Sequence, residues 1–461
     1  MRSKYLLKLL RGFIFLHRLT PNSRIEPGWH WEEDKMKNAF SRRSVLGAAL
    51  AGISFLGATA AFAGTTVTVW CWDKEFNGAT MKEAGARYAK AHPDVTLNVV
   101  DFAKPDMEQK LQAQLASGTT DGLPDIVLIE DYGAQKYLQS FTKAFEPLSD
   151  NKAIDYKTFA NYKVALATVG DKTYSLPFDS GVSGMFYRSD YLAQAGYKSA
   201  DLQDITWEKL IEVGKAVEAK TGHKLLDLDL SDQGLLRIMM QSAGIWYFSP
   251  DGKPAIAGNA KFKTVLSTYA KVLQSGIYKP VSGWAEYTGT FTSGETAAAI
   301  TGVWMTATIK ANKDQSGKWS IAPVPKVDGV EGAVHASNLG GSSWYVLASS
   351  KNKAAAIDFL AQEWGKDADF YQKILVNQGA LGSFLAARDG EAYKASDAFF
   401  GGEATWQNFS TWLGKIPGVN YGTFTNEADA AVSAQVPALV KGGSVDDAIK
   451  AIDAQLKQQM Q

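Results

Sequence analysis

The chain of 461 residues holds a single cysteine, Cys71, so no disulfide can close within it. Histidine is nearly as scarce. Of five, only His92, His223 and His335 lie beyond residue 63, and no two stand at metal-ligand spacing. That argues against a zinc or iron centre, and no metal or cofactor is expected. No Gly-x-Ser-x-Gly elbow falls at a strand-to-helix turn, and there is no phosphate-binding P-loop. Gly181-Val182-Ser183-Gly184 misses the elbow spacing and sits in an extended segment. With few imidazoles and one thiol, a nucleophilic triad is poorly supplied. Excess positive charge is also lacking. Lys+Arg and Asp+Glu each number 48; residues 1–63 carry ten and four of them, which leaves 38 against 44, a net charge of about −6. That balance argues against nucleic acid or anionic lipid as partners. Beyond residue 63 no apolar run reaches 18 residues, so nothing there reads as a membrane span.

The first 63 residues have the order of a cleavable export signal. Ser41-Arg42-Arg43-Ser44-Val45-Leu46 supplies charge and a twin arginine, Val45 to Leu56 is apolar, and Ala61-Phe62-Ala63 is a small-x-small cleavage site. The apolar run is shorter than the ~20 residues that a span needs. The expected location is therefore the periplasm, with the working chain starting near Gly64. Twin arginines imply export of a folded chain, and the run also fits the general secretory route. Met1 to Lys35 is basic and aromatic with no place in such a signal, and Met36 would be an ordinary start. Cys71 does not directly follow the run, so a lipid anchor is not expected; it reads as a small buried hydrophobe.

From residue 65 the pattern alternates strand and helix. Thr65 to Trp72 is β-branched and aromatic, Asn77 to His92 reads as a helix ended by Pro93, and Val95 to Val100 as a second strand. Asp106 to Ala116 reads as a helix, and Pro124 to Ile129 as the fully apolar strand of a parallel sheet. This order predicts an open α/β sheet with ligands beyond the carboxyl ends of its strands. Tyr174 to Arg188 reads as an extended segment leaving this first domain, and a second α/β region follows to about Val334. Within it, Trp207 to Lys220 is predicted helical, capped by Thr206 with Glu208 near a capping-box position. Ser343 to Ala348 reads as a strand, Lys353 to Trp364 as an amphipathic helix, and Ser444 to Met460 as the last of several helices. The predicted architecture is two α/β lobes sharing several crossovers: lobe 1 over 64–179 with a return at 338–387, and lobe 2 over 180–337 with helices at 388–461.

Eleven tryptophans lie beyond residue 63. Trp suits a core and also a sugar platform, since one pyranose face is a patch of C–H groups. Trp72 at its strand end, Trp304 after Gly302, and Trp246 and Trp284 beside glycines are the candidate platforms. Trp70, Trp207 and Trp364 read as core, and Trp344 is open between core and cleft. Asp73, Asp131 and Asp179 each follow an extended segment, where a carboxylate can accept hydroxyl protons in a cleft or simply cap a turn. The same three acids could pair for glycoside hydrolysis, since such pairing is spatial.

Five segments in order carry a resemblance: Val69 to Ala79, Leu123 to Ser140, Tyr174 to Gly196, Phe291 to Trp304 and Asn338 to Leu360. Together they resemble the carbohydrate-binding receptors of ABC importers, the cluster that includes maltose-binding protein, over nearly all of Thr65 to Gln461. The resemblance implies a monomeric two-lobed receptor that closes on a mono- or oligosaccharide and passes it to a membrane permease, without chemistry on the sugar. It implies that Asp73 and Lys74 hold sugar hydroxyls, that Asp131 adds a carboxylate, that Trp304 stacks, that Asp179 and Ser180 lie at a hinge crossing, and that Gly340 and Gly341 bring backbone to the ligand. Tyr421 or Phe424 stands where a further stacking tryptophan would be. The Trp70 to Asp73 opening is more similar to receptors for lactose or L-arabinose. A secreted carbohydrate-active enzyme and a same-fold receptor for a polyamine or a metal-loaded anion are the alternatives.

Overall fold

The computed structural model describes residues 64–461; the expected export signal and alternative start lie outside the described residues. The strands are β1 (Thr65–Trp72), β2 (Val95–Phe102), β3 (Ile126–Glu130), the short pair β4 (Thr168–Val169) and β5 (Lys172–Thr173), β6 (Ser175–Arg188), β7 (Leu226–Asp229), β8 (Tyr278–Val281), β9 (Ala298–Gly302), β10 (Trp319–Pro323) and β11 (Asn338–Val346). One sheet runs β10-β6-β11-β3-β1-β2, with β9 also on β6, and β7 and β8 form a separate parallel pair. The predicted strand–helix alternation is realised at its start: β1 lies parallel to both β2 and β3. Between them run α1 (Ala79–Tyr88) and α2 (Lys104–Ser117), and α3 (Asp131–Phe141) follows β3.

The strand β6 joins the two lobes. Its 14 residues are all buried. The first half pairs antiparallel with β11, from Tyr345↔Ser175 to Asn338↔Val182, and the second half with β9 and β10. Pairing around β6 is thus antiparallel, because β6 and β11 cross between the lobes in opposite directions. The register of β11 on β6 shifts twice, between Asn338 and Gly341 and again before Ser343. Gly340 and Gly341 supply those irregularities with φ of 86° and 84°, a region that costs side-chain-bearing residues ~1–2 kcal/mol. A Cβ on Gly181 would collide with Leu339 O.

Helices follow local signals closely. α4 (Asn161–Leu166) and α5 (Ser189–Gln194) flank β6 in sequence. α6 (Trp207–Thr221) starts where Thr206 Oγ1 accepts from Lys209 N at 3.3 Å. Glu208 completes no box; it reaches Lys271 at 3.1 Å instead. α1 is shorter than its pattern because Asp73 opens a π-helical turn over Lys74–Gly78 before it. α7 (Gly234–Ser242), α8 (Ala260–Gln274) and α9 (Gly283–Ser293) complete the helices that reach the site.

The core takes most tryptophans. Trp207, Trp319, Trp344 and Trp364 are buried, and Trp70 packs on Phe102 at 5.0 Å. Phe178, Trp344 and Trp364 form one cluster with centroids 4.8–6.0 Å apart. At ~25 cal/mol/Å² over 150–250 Å², each such ring stabilises the fold by about 4–6 kcal/mol before entropy. Cys71 is buried, and burial pushes its thiol up to about 12, so it behaves as a small apolar side chain. No described helix is long and apolar enough to cross a membrane.

Candidate functional site

A cavity of about 700 Å³ opens where the carboxyl ends of β1 and β3 face β7, β9 and the β11 crossing. Its volume lies within the ~300–1,000 Å³ of small-molecule sites. β1 and its following turn deliver Trp72, Asp73, Phe76 and Asn77, and the β3–α3 junction delivers Glu130 and Tyr132. The opposite wall comes from β7 (Leu226 to Asp229), from Asp232, Leu235 and Arg237 at α7, and from Trp284 and Tyr287 on α9. Thr301 and Trp304 follow from β9, and Leu339 to Ser342 form the floor with Asp179.

Seven of the eleven sequence-predicted residues line this cavity: Trp72, Asp73, Asp179, Trp284, Trp304, Gly340 and Gly341. Asp73 is the sole non-glycine at positive φ among the described residues, at 60°, and its Oδ1 accepts from Phe76 N at 3.0 Å. It therefore both caps a turn and faces the cavity, and local strain of this kind collects at ligand sites. Trp304 is fixed by its Nε1 donating to Leu339 O at 2.8 Å. Its ring lies 5.8 Å from that of Trp284 at 34°. Trp284 is 58% exposed, a large apolar face left open at the cavity rim. Across the cavity Trp72 has Lys104 over its ring at 5.8 Å, and Lys104 is paired with Glu130 at 2.7 Å. Gly302 and Gly340 leave room for Trp304: a Cβ on Gly340 would lie 3.3 Å from its Nε1.

Four predicted residues are elsewhere. Lys74 is exposed in the π-helical turn and does not line the cavity. Asp131 is 2% exposed, its Oδ1 held by Lys163 of α4, which also donates to Ser342 O at 2.7 Å. Through Lys163 it ties the start of α3 to β11 as a buried brace. Burial pushes its carboxyl up to about 7, with Lys163 opposing that shift and Asp179 adding to it. Ser180 is buried 2.9 Å from Tyr162 Oη. Trp246 is 1% exposed; its Nε1 donates to Thr425 Oγ1 at 3.0 Å and its ring stacks on Tyr132 at 5.8 Å. Tyr421, a suggested stacking residue, is buried in the same cage, 4.7 Å from Tyr132. Phe424, the other suggested residue, does not line the cavity either.

Glu130 and Tyr132 stand at the carboxyl end of the third predicted strand, where ligands are expected, though neither was singled out as a contact; Asn77, Asp227, Asp229, Asp232, Arg237 and Tyr287 were missed. The rule that selected Asp73, an acid just past an apolar strand, applies equally to Leu225-Leu226-Asp227-Leu228-Asp229. Asp229 accepts from Ser231 Oγ at 2.6 Å and Gly283 N at 2.8 Å, bonds that hold its carboxyl below the usual range. Arg237 lies 4.5 Å over the Tyr132 ring and is paired with Asp429. Burial works against its charge, yet Asp429 keeps the guanidinium above its ordinary pKa. The arrangement offers flat rings beside carboxylates and backbone groups, suited to binding a neutral polyhydroxylated molecule.

Residues 83–401 match the model of the bacterial extracellular solute-binding proteins. The chain is 57% identical over 420 residues to the lactose-binding protein of Rhizobium radiobacter, an alignment covering 91% of this chain and 98% of that one. The fold superposes on a crystal structure of a family 1 extracellular solute-binding protein with a TM-score of 0.74, at 20% identity, covering 86% of this chain and all of that one. It also superposes on the sugar-binding protein MalE from Xanthomonas citri with a TM-score of 0.70, at 20% identity, covering 86% of this chain and 98% of that one. Both superpositions carry the fold alone, the two-lobed architecture expected from the strand order. On the extent of the family match and of its 57% identical relative, the chain belongs to the bacterial extracellular solute-binding proteins.

Proposed function

We propose that this protein is the periplasmic receptor of an ABC sugar importer and that its solute is a lactose-type disaccharide. The observation that carries the sugar is the identity of 57% with a lactose-binding protein over 98% of that chain's length. The cavity supports it. A volume of about 700 Å³ exceeds what a single ring fills, and its two walls each bring tryptophan and carboxylate. Lobe 1 is residues 64–179 with 338–387, and lobe 2 is 180–337 with 388–461. The sugar binds the closed arrangement better than the open one, which is what drives closure. The receptor acts as a monomer, delivers the sugar to its permease and does no chemistry on it. Trp72, Asp73, Asp179, Trp284, Trp304, Gly340 and Gly341 are the proposed contacts.

Tryptophan fluorescence of the chain from Gly64, titrated with lactose, galactose, L-arabinose, maltose and a polyamine, tests this reading. Saturable change with lactose at the lowest concentration is expected. Preference for L-arabinose or maltose overturns the choice of sugar, and response to the polyamine alone overturns the sugar class. Release of monosaccharides on prolonged incubation with lactose would instead identify an enzyme.

A further inference from the structure

The wall formed by β7 holds a carboxylate unlike the others around the cavity. Asp227 is 3% exposed and lines the cavity. Its Oδ2 accepts from Thr290 Oγ1, while its Oδ1 is buried with no hydrogen-bond partner. The charges acting on it are Lys279 and Glu295, which are paired with each other at 2.7 Å. The neighbouring acids are committed. Glu130 binds Lys104, Asp229 binds Ser231 and Gly283, and Asp73 binds Phe76 N. Asp73 is exposed and Glu130 and Asp229 are half-buried, so a ligand hydroxyl there competes with bonds already made or open to solvent. At Asp227 nothing is replaced. A buried acceptor left unmade costs its desolvation, and a donor arriving with the ligand recovers it. Burial pushes this carboxyl up to about 7, as expected of an acid that lacks a cation.

We propose that Asp227 is the specificity-determining residue of the cavity, its Oδ1 accepting a hydrogen bond from one hydroxyl of the bound sugar, directly or through one held water. The inference rests on reading this cavity as the sugar site. The pocket's tryptophans accept any ring face, because stacking carries little positional information. One buried oxygen with no alternative partner discriminates between a sugar that presents a hydroxyl to it and an isomer that does not.

The test compares wild type with Asp227→Asn and Asp227→Ala by calorimetry, using lactose and a series of its monodeoxy analogues, alongside ligand-free melting curves. Both variants are expected to bind lactose at least tenfold more weakly while melting no lower than wild type. One deoxy analogue is expected to lose at least tenfold against wild type but less than threefold against Asp227→Ala, since the variant has already lost the acceptor. Unchanged lactose affinity in Asp227→Asn overturns the proposal. So does a variant that melts lower yet binds equally well, and so does a deoxy series whose losses are the same in wild type and variant. If wild type binds another sugar of the panel and not lactose, the lactose reading fails and the same comparison is made with that sugar.

Discussion

At the scale of single residues, the cavity separates aromatic side chains that pack from those that present a face. Trp304 is anchored through Nε1 to Leu339 O, so its ring is held in place before any ligand arrives. Trp304→Ala should weaken sugar binding at least tenfold, about 1.4 kcal/mol, without unfolding the chain; unchanged affinity in a fluorescence titration removes it from the site. Asp227 makes a second prediction, through pH. Its folded carboxyl titrates near 7 against an unfolded value near 4. The folded state therefore holds the proton longer, and the stability this confers is present below about pH 4 and lost as pH rises towards 7. Thr290 bonds this carboxyl, Lys279 opposes the shift and Glu295 adds to it, so an amide at 227 removes this one titration. Ligand-free Asp227→Asn should gain on wild type by on the order of 1–2 kcal/mol between pH 5 and pH 7.5, read from melting curves. A constant difference across that range contradicts the assignment. Trp246 and Asp131 show what local pattern leaves out. A tryptophan beside Gly244 and an acid after an apolar strand both fit a ligand site by local pattern. Their burial is decided by Thr425 and Tyr132, and by Lys163, which are distant in sequence.

Among elements, the crossing strands set the geometry of the site. β6 and β11 carry Asp179 and the Leu339 to Ser342 floor, and their contact is irregular at Gly340 and Gly341. Gly341 has φ of 84°, and a Cβ there would stand 2.7 Å from Asp131 Oδ2. Gly341→Ala should cost roughly 2–3 kcal/mol, from backbone strain and displacement of the Asp131–Lys163 brace. A melting temperature within a degree of wild type would show that the crossing relaxes freely. The strands β1, β2 and β3 and the helices α2 and α6 were legible because each has a period, a cap or a breaker of its own. β7 was not, because four residues reading Leu-Asp-Leu-Asp carry too short an alternation to stand out, and its partner β8 lies some fifty residues on. The site acids on it went unseen with it.

In the whole molecule, α3 meets α7 and the segments carrying Trp246 and Tyr421 in a cage beside the crossing strands. Tyr132 of α3 inserts among Arg237, Trp246 and Tyr421, and its hydroxyl donates to Asn338 O at 3.1 Å. The cavity thus lies between surfaces already packed together at one end, so a solute that bridges the remaining gap adds to an existing interface. The two-lobed plan followed from strand order and from segments found in sequence along the chain; the identity of the facing residues did not, since each wall is assembled from remote pieces. The proposed function requires a sugar to fill that gap. Calorimetric titration of the chain from Gly64 with lactose tests it most directly: one-to-one binding, micromolar or tighter, with lactose recovered intact, is the predicted result. No binding at millimolar lactose, or recovery of its component monosaccharides, would contradict it.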